Sequence, residues 1–193
     1  MDEAAESAVE AKEKDRTVAL IIAILALLLA LAEAGAKRAQ HLSTEMNFEA
    51  SDLFNFYQAK KIRSTVVETA SKSLEAQKTA LVDPKAEEAF EKQIGDFEAV
   101  VARFEKDPKT PEDSLDAIQE RAKAAVEARE LANHTLERYE LGSGLAQIAI
   151  VLASAAIITD IGALVWLSVG LGFLGAILLA LGFLAPTALG FIG

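Results

Sequence analysis

LGSGLAQIAIVLASAAIITDIGALVWLSVGLGFLGAILLALGFLAPTALGFIG, residues 141–193, contains a single charged side chain, Asp160. A bilayer core about 30 Å thick takes about 20 apolar helical residues to cross, so the stretch crosses twice with Asp160 at the bend. A shorter apolar run occupies residues 18–32. It spans if its helix extends over residues 17–36, about 30 Å at 1.5 Å per residue, with Glu33 in the last turn where its carboxylate reaches the interface. Lys12, Lys14 and Arg16 precede this run, and its alanines also resemble peptidase sites. A cleaved signal peptide is therefore the competing reading.

The spacing of small residues favours a span. Ala19, Ala23, Ala26 and Ala30 recur at steps of 3 and 4, as do Ala146, Ala149, Ala153 and Ala156; Ser168, Gly172, Ala176 and Ala180 recur at 4. In lipid, where apolar burial drives little, close backbone approach holds helices together, and stripes of small residues permit it. These twelve residues are the expected helix-packing or oligomer interface. Asp160 lies on the second stripe. A carboxylate at bilayer depth would mark an ion path, with Glu33 as its companion; the Thr159-Asp160-Ile161-Gly162 context instead predicts a turn. Pro186 and Gly190 are expected to close the third span.

The expected fold class is an all-α membrane protein: three transmembrane helices with an extramembrane helical hairpin or three-helix coiled-coil stalk. The expected layout is an acidic tail at 1–15, a span at 16–36, an extramembrane domain at 37–141, spans at 142–159 and 164–185 joined by a turn at 160–163, and a tail at 186–193. Within the domain, helices are expected at about 42–81, 84–106 and 111–141. Asp83-Pro84 and Thr110-Pro111-Glu112-Asp113 read as helix starts, each with a capping side chain followed by proline. The apolar stripes are Ile62, Val66, Ala70, Leu74, Gln77 and Leu81 on the first helix, and Ala86, Phe90, Ile94, Phe97, Val101 and Phe104 on the second. The third carries Leu115, Ile118, Ala122, Ala125, Ala132, Leu136 and Tyr139, interrupted by Arg129. One narrow stripe per helix buries little area, so self-association is expected.

Composition narrows function. The chain is 52% hydrophobic, and the excess sits in the apolar blocks, which is a membrane signature. A net charge of −10 argues against nucleic acid and against docking on anionic lipid through a basic patch. With no cysteine there is no disulfide, thiolate site or cysteine nucleophile. Charges flanking the first span lean weakly to a cytoplasmic N-terminus and an exported middle domain, against Arg129 and Arg138 near the second span.

Catalytic motifs are lacking. Glu45, Glu49 and Asp52 share a helical face with His41, and Glu130 pairs with His134 at i, i+4, but neither histidine has the Glu-x-x-His spacing of a di-iron bundle. Neither a Gly-rich phosphate loop nor a nucleophile elbow occurs in the sequence. No enzyme activity, cofactor or metal is expected.

One local run is distinctive: Glu49-Ala50-Ser51-Asp52-Leu53-Phe54-Asn55-Phe56-Tyr57-Gln58-Ala59-Lys60-Lys61-Ile62-Arg63. Phe54 and Phe56 lie about 200° apart on a helix, so they cannot share one covered face. Asp52, Phe54, Phe56, Tyr57, Gln58 and Lys60 form a candidate partner-binding collar; the plainer reading is a core layer. This run, after one span and before a two-span hairpin, resembles the bacterial DUF4337 family, whose pattern usually carries Trp where Phe54 stands. The resemblance implies this topology, a bacterial inner-membrane location and no known activity. The resulting expectation is a membrane-anchored scaffold that self-associates or serves another membrane complex, with lipid and copies of itself as partners. The alternatives are a small oligomeric channel using Asp160 and Glu33, and, less favoured, a metalloprotein or enzyme.

Overall fold

The computed structural model describes residues 2–80, 82–106 and 108–184, with side chains from residue 13 onward apart from Lys14. Pro186, Gly190, the tail at 186–193, Leu81 and the Lys12 and Lys14 side chains lie outside the described residues. Among the described residues the fold is all helical. Its helices are α1 (Asp2–Lys78), α2 (Pro84–Glu105), α3 (Leu115–Thr159) and α4 (Gly162–Leu184), with a single 3-10 turn at Pro111–Asp113. Three of them are long and apolar enough to cross a membrane: α1 in its Asp15–Lys78 part, α3 and α4.

Local chemistry sets the breaks. After α1, Asp83 takes extended backbone and its carboxylate accepts the Lys85 amide at 3.0 Å, capping α2, with Pro84 in the first turn. The third helix differs from the sequence reading. Thr110 makes no side-chain cap, and residues 111–113 form only the 3-10 turn. Ser114 caps α3 instead, its Oγ accepting the Ala117 amide at 3.2 Å and its carbonyl the Ile118 amide at 2.9 Å. A serine hydroxyl three residues before an amide matches the N-cap geometry. Between α3 and α4, Asp160 adopts φ 54°, the left-handed conformation that ends many helices and that Asp tolerates better than most residues.

The chain divides into two compact units, Met1–Thr44 with Arg129–Gly193, and Glu45–Ala128. In the first, α1 and α4 run parallel, Leu25 facing Gly172 and Leu28 facing Gly175, while α3 runs antiparallel to both. Buried positions repeat every seven residues: Val18, Leu25, Ala32 and Ala39 on α1; Ala132, Tyr139, Ala146 and Ala153 on α3; Ser168, Gly175 and Gly182 on α4. A seven-residue repeat keeps one face inward when helices cross at a shallow angle.

In the second unit, α2 lies antiparallel to the 45–78 part of α1, and Lys78 bridges to Glu87 at 3.8 Å and to Glu91. The start of α3 closes a small cluster of Leu53, Ile118 and Ala122, with Tyr57 packed against it. The α2 stripe from Ala86 to Phe104 is half-buried throughout. The α1 stripe is corrected in part: Ala70 and Leu74 are half-buried, but Ile62, Val66 and Gln77 are exposed. Ile62 and Val66 are 64% and 62% exposed, whereas Ser64 and Ser71 are 2% and 5% exposed. The inner face mixes these serines with Leu53, Tyr57, Val67 and Leu74, while Ile62 and Val66 turn outward.

Candidate helix-packing site and aromatic collar

The predicted small-residue stripes are used unequally. Ala146, Ala149, Ala153 and Ala156 are all buried, and the last three face α4 or lie on the same strip of α3. Opposite them Ser168 and Gly172 are buried, but Ala176 is half-buried and Ala180 exposed. The reason is angular. Steps of four advance about 40° each and drift off the seam, whereas alternating steps of four and three hold it, so Gly175 and Gly182 occupy the inner positions. On α1, Ala19, Ala23, Ala26 and Ala30 are exposed, about 130° around the helix from the buried Val18, Leu25 and Ala32.

The α3–α4 crossing is built around two glycines. A Cβ on Gly175 would stand 3.0 Å from the Gly142 carbonyl oxygen, and one on Gly142 would stand 3.2 Å from the Gly175 carbonyl oxygen. Backbone meets backbone there in both directions, the close approach that brings Cα–H groups against carbonyls. Two turns along α4, the fully buried Ser168 Oγ donates to the Ala149 carbonyl at 2.8 Å. At the other end, the buried Tyr139 ring fills a slot with Gly35 of α1 on one side and Gly182 of α4 on the other. A Cβ on Gly35 would lie 2.8 Å from the ring and one on Gly182 3.4 Å. Neighbouring Arg138, also buried, reaches the Leu181 carbonyl at 3.5 Å.

The collar divides by face. Tyr57 and Lys60 point inward: Tyr57 packs on the Leu53 cluster, and Lys60 donates to the Asp113 carbonyl while standing 6.0 Å above the centre of the Phe104 ring. Lys60 thus fastens α1 both to α2 and to the connection leading into α3. Asp52, Phe54, Phe56 and Gln58 are exposed. Of the ionisable candidates, Asp160 sits in the left-handed turn and Glu33 is exposed on α1. Glu45, Glu49 and Asp52 line an open groove with Leu53, Phe56 and Arg121. His134 lies 3.8 Å from Glu137 rather than pairing with Glu130, and His41 is exposed. Among the described residues no three His, Cys, Asp or Glu are placed to hold a metal. Further out, Lys72 bonds Glu68 at 2.6 Å; that hydrogen bond and charge hold the Glu68 carboxyl below its ordinary value and raise the Lys72 ammonium. Hydrogen bonding to Glu91 raises Lys78 likewise.

A family model described as "Domain of unknown function (DUF4337)" matches residues 14–185. The chain belongs to the DUF4337 family. No curated protein and no solved structure matches it. The DUF4337 match takes in all three apolar helices, α2 and the collar, so the geometry above falls within the family's own segment. Three features of this DUF4337 chain escaped sequence reasoning: the Gly142–Gly175 crossing, the Tyr139 slot and the Lys60 clasp. The glycines were the available signal, since Gly175 and Gly182 stand seven apart. Lys60 left no comparable mark, because a lysine in a charged segment reads as solvated.

Proposed function

We propose that this DUF4337 chain is a membrane-anchored helical scaffold that associates with copies of itself, alone or as an accessory subunit of a larger membrane complex. The observation that carries the reading is apolar surface left uncovered beyond the first span: Phe48, Phe54, Phe56, Ile62 and Val66 of α1 are all exposed. Lipid covers exposed leucines within a span, but nothing in a single chain covers these. Exposed apolar residues gathered on one helix mark an interaction surface.

In its finer form the proposal makes the 45–78 part of α1, α2 and the start of α3 a three-helix coiled coil. The seven-residue spacing of covered positions supports this form. The proposed location is a bacterial cytoplasmic membrane with the N-terminus in the cytoplasm. No catalytic step is part of the proposal, and among the described residues no observation favours the channel reading of Asp160 and Glu33.

The test is the intact mass of the tagged protein extracted from its native membrane in mild detergent, with every component identified. A homo-oligomer, or a stoichiometric complex with another membrane protein, supports the proposal. A lone monomer refutes it.

A further inference from the structure

The outward face of α1 in the second unit has a regular composition. Asn55, Ala59, Ile62, Val66, Thr69 and Ser73 follow one another at alternating steps of four and three, the a/d spacing of a helix seam, and all are exposed. Lys60, Lys61, Arg63, Glu68 and Lys72 lie in the same stretch, yet none falls on this stripe. The covered face of the same segment carries Ser64 and Ser71, so α1 bears two seams and the chain fills only one.

We infer that the second seam pairs in parallel with the same seam of a second copy of this chain. This deepens the scaffold reading and rests on it. Three features select a copy over a foreign helix. First, membrane spans hold copies parallel and at equal height, so each residue meets its own counterpart. Second, every polar residue on the stripe is self-complementary. The Asn55 amide both donates and accepts, and the Thr69 and Ser73 hydroxyls do the same, so identical residues face one another without an unmatched group. Third, the flanks agree. In a parallel pair Arg63 of one copy meets Gln58 of the other, and Lys72 meets Gln77, each a cation facing an amide oxygen rather than a like charge. For a chain of net charge −10 this uncharged stripe is a surface on which two copies approach without repulsion.

The chain has no cysteine, so single cysteines report cleanly. Ile62→Cys and Val66→Cys on the stripe are compared with Lys61→Cys and Glu68→Cys, exposed and on the other side of the helix, in native membranes under mild oxidation. Paired seam positions come within disulfide reach, so the stripe variants are expected to form homodimer about tenfold more than the controls. Equal or absent cross-linking overturns the inference, as does cross-linking to a different protein. The double variant Ile62→Glu/Val66→Glu alters only exposed positions. It is expected to keep its helix content by circular dichroism and lose the homodimer; a persisting homodimer overturns the inference. The intact mass separates this failure from failure of the scaffold reading. A homo-oligomer without stripe cross-links places the contact on another face, whereas a lone monomer removes both.

Discussion

Replacing Gly175 by Ala should destabilise the α3–α4 hairpin, although alanine is the better helix former. The added Cβ would stand 3.0 Å from the Gly142 carbonyl oxygen, about 0.4 Å inside ordinary contact. That oxygen belongs to helix backbone and cannot rotate away, so the two helices must separate. Dispersion falls steeply with distance: a gap near 0.5 Å forfeits about a quarter of each contact, and roughly forty carbon pairs of about 0.15 kcal/mol each then lose about 1.5 kcal/mol. The 2.8 Å bond from Ser168 to the Ala149 carbonyl lengthens as well. Against this stands the gain of up to about 1 kcal/mol from helix propensity. Gly170 isolates the two effects, because it lies on the same helix and a Cβ there meets nothing within 4 Å. Gly170→Ala therefore shows the propensity gain alone. The assay is unfolding in detergent, followed by circular dichroism or by steric trapping of the hairpin. Gly175→Ala is expected to fall below Gly170→Ala by about 1.5 kcal/mol, the packing loss worked above. Equal stabilities would refute the reasoning, since the same substitution on the same helix would then be indifferent to the crossing.

Ser168→Ala, in the same assay, should cost about 0.6 kcal/mol and at most about 1.7, the range for hydrogen bonds between membrane helices. Lys60→Met should leave the Asp113 carbonyl without its donor and loosen the connection around residues 106–114, read as faster amide exchange there, with Lys61→Met as the unaffected control. The pH dependence of the 45–78 part of α1 and of α2 has a defined sign. Glu68 is held below its ordinary value by Lys72, so its contribution is full above the unfolded glutamate value and fades as pH falls through the lowered one. Lys72 and Lys78 are raised by Glu68 and Glu91, so their contributions are full below the unfolded lysine value and fade as pH rises through the raised one. A thermal melt series should be level between those limits and decline on both sides, and Glu68→Gln should flatten the acid limb.

The all-helical fold and the three apolar helices were legible because they rest on length, periodicity and lack of charge, which need no knowledge of partners. The helix start at α3 was less so: Thr110-Pro111 and Ser114 are both plausible caps, and only the side-chain bond to the Ala117 amide decides between them. The packed faces were legible where small residues coincide with a seven-residue repeat, as at Ala146 and Ala153, and misleading where they do not. Ala19, Ala23, Ala26 and Ala30 keep the spacing of a seam, but Val18, Leu25 and Ala32 are the residues that pack. Leu25 faces glycine at position 172, so close approach needed a small residue on only one side of the contact.

The outer part of α1 was read correctly at Ala70 and Leu74, which are half-buried, and wrongly at Ile62 and Val66, which are exposed. Counting hydrophobic residues assigns Ile62 and Val66 to the core, because burial is assumed to follow apolar area. The covered face instead carries Ser64 and Ser71 beside Leu53, Tyr57, Val67 and Leu74. Bonds at the edges of this face, from Lys60 to the Asp113 carbonyl and from Lys78 to Glu91, add to its packing. Ile62 and Val66 are left on the opposite face, 64% and 62% exposed. The segment thus has a covered face inside the chain and an exposed one that holds Ile62 and Val66, the face on which the proposed contact with a second copy rests. Reversing Ile62 and Val66 to charge while preserving Ser64 and Ser71 tests the proposed outer contact separately from the packing inside the chain, because only the serines are buried there.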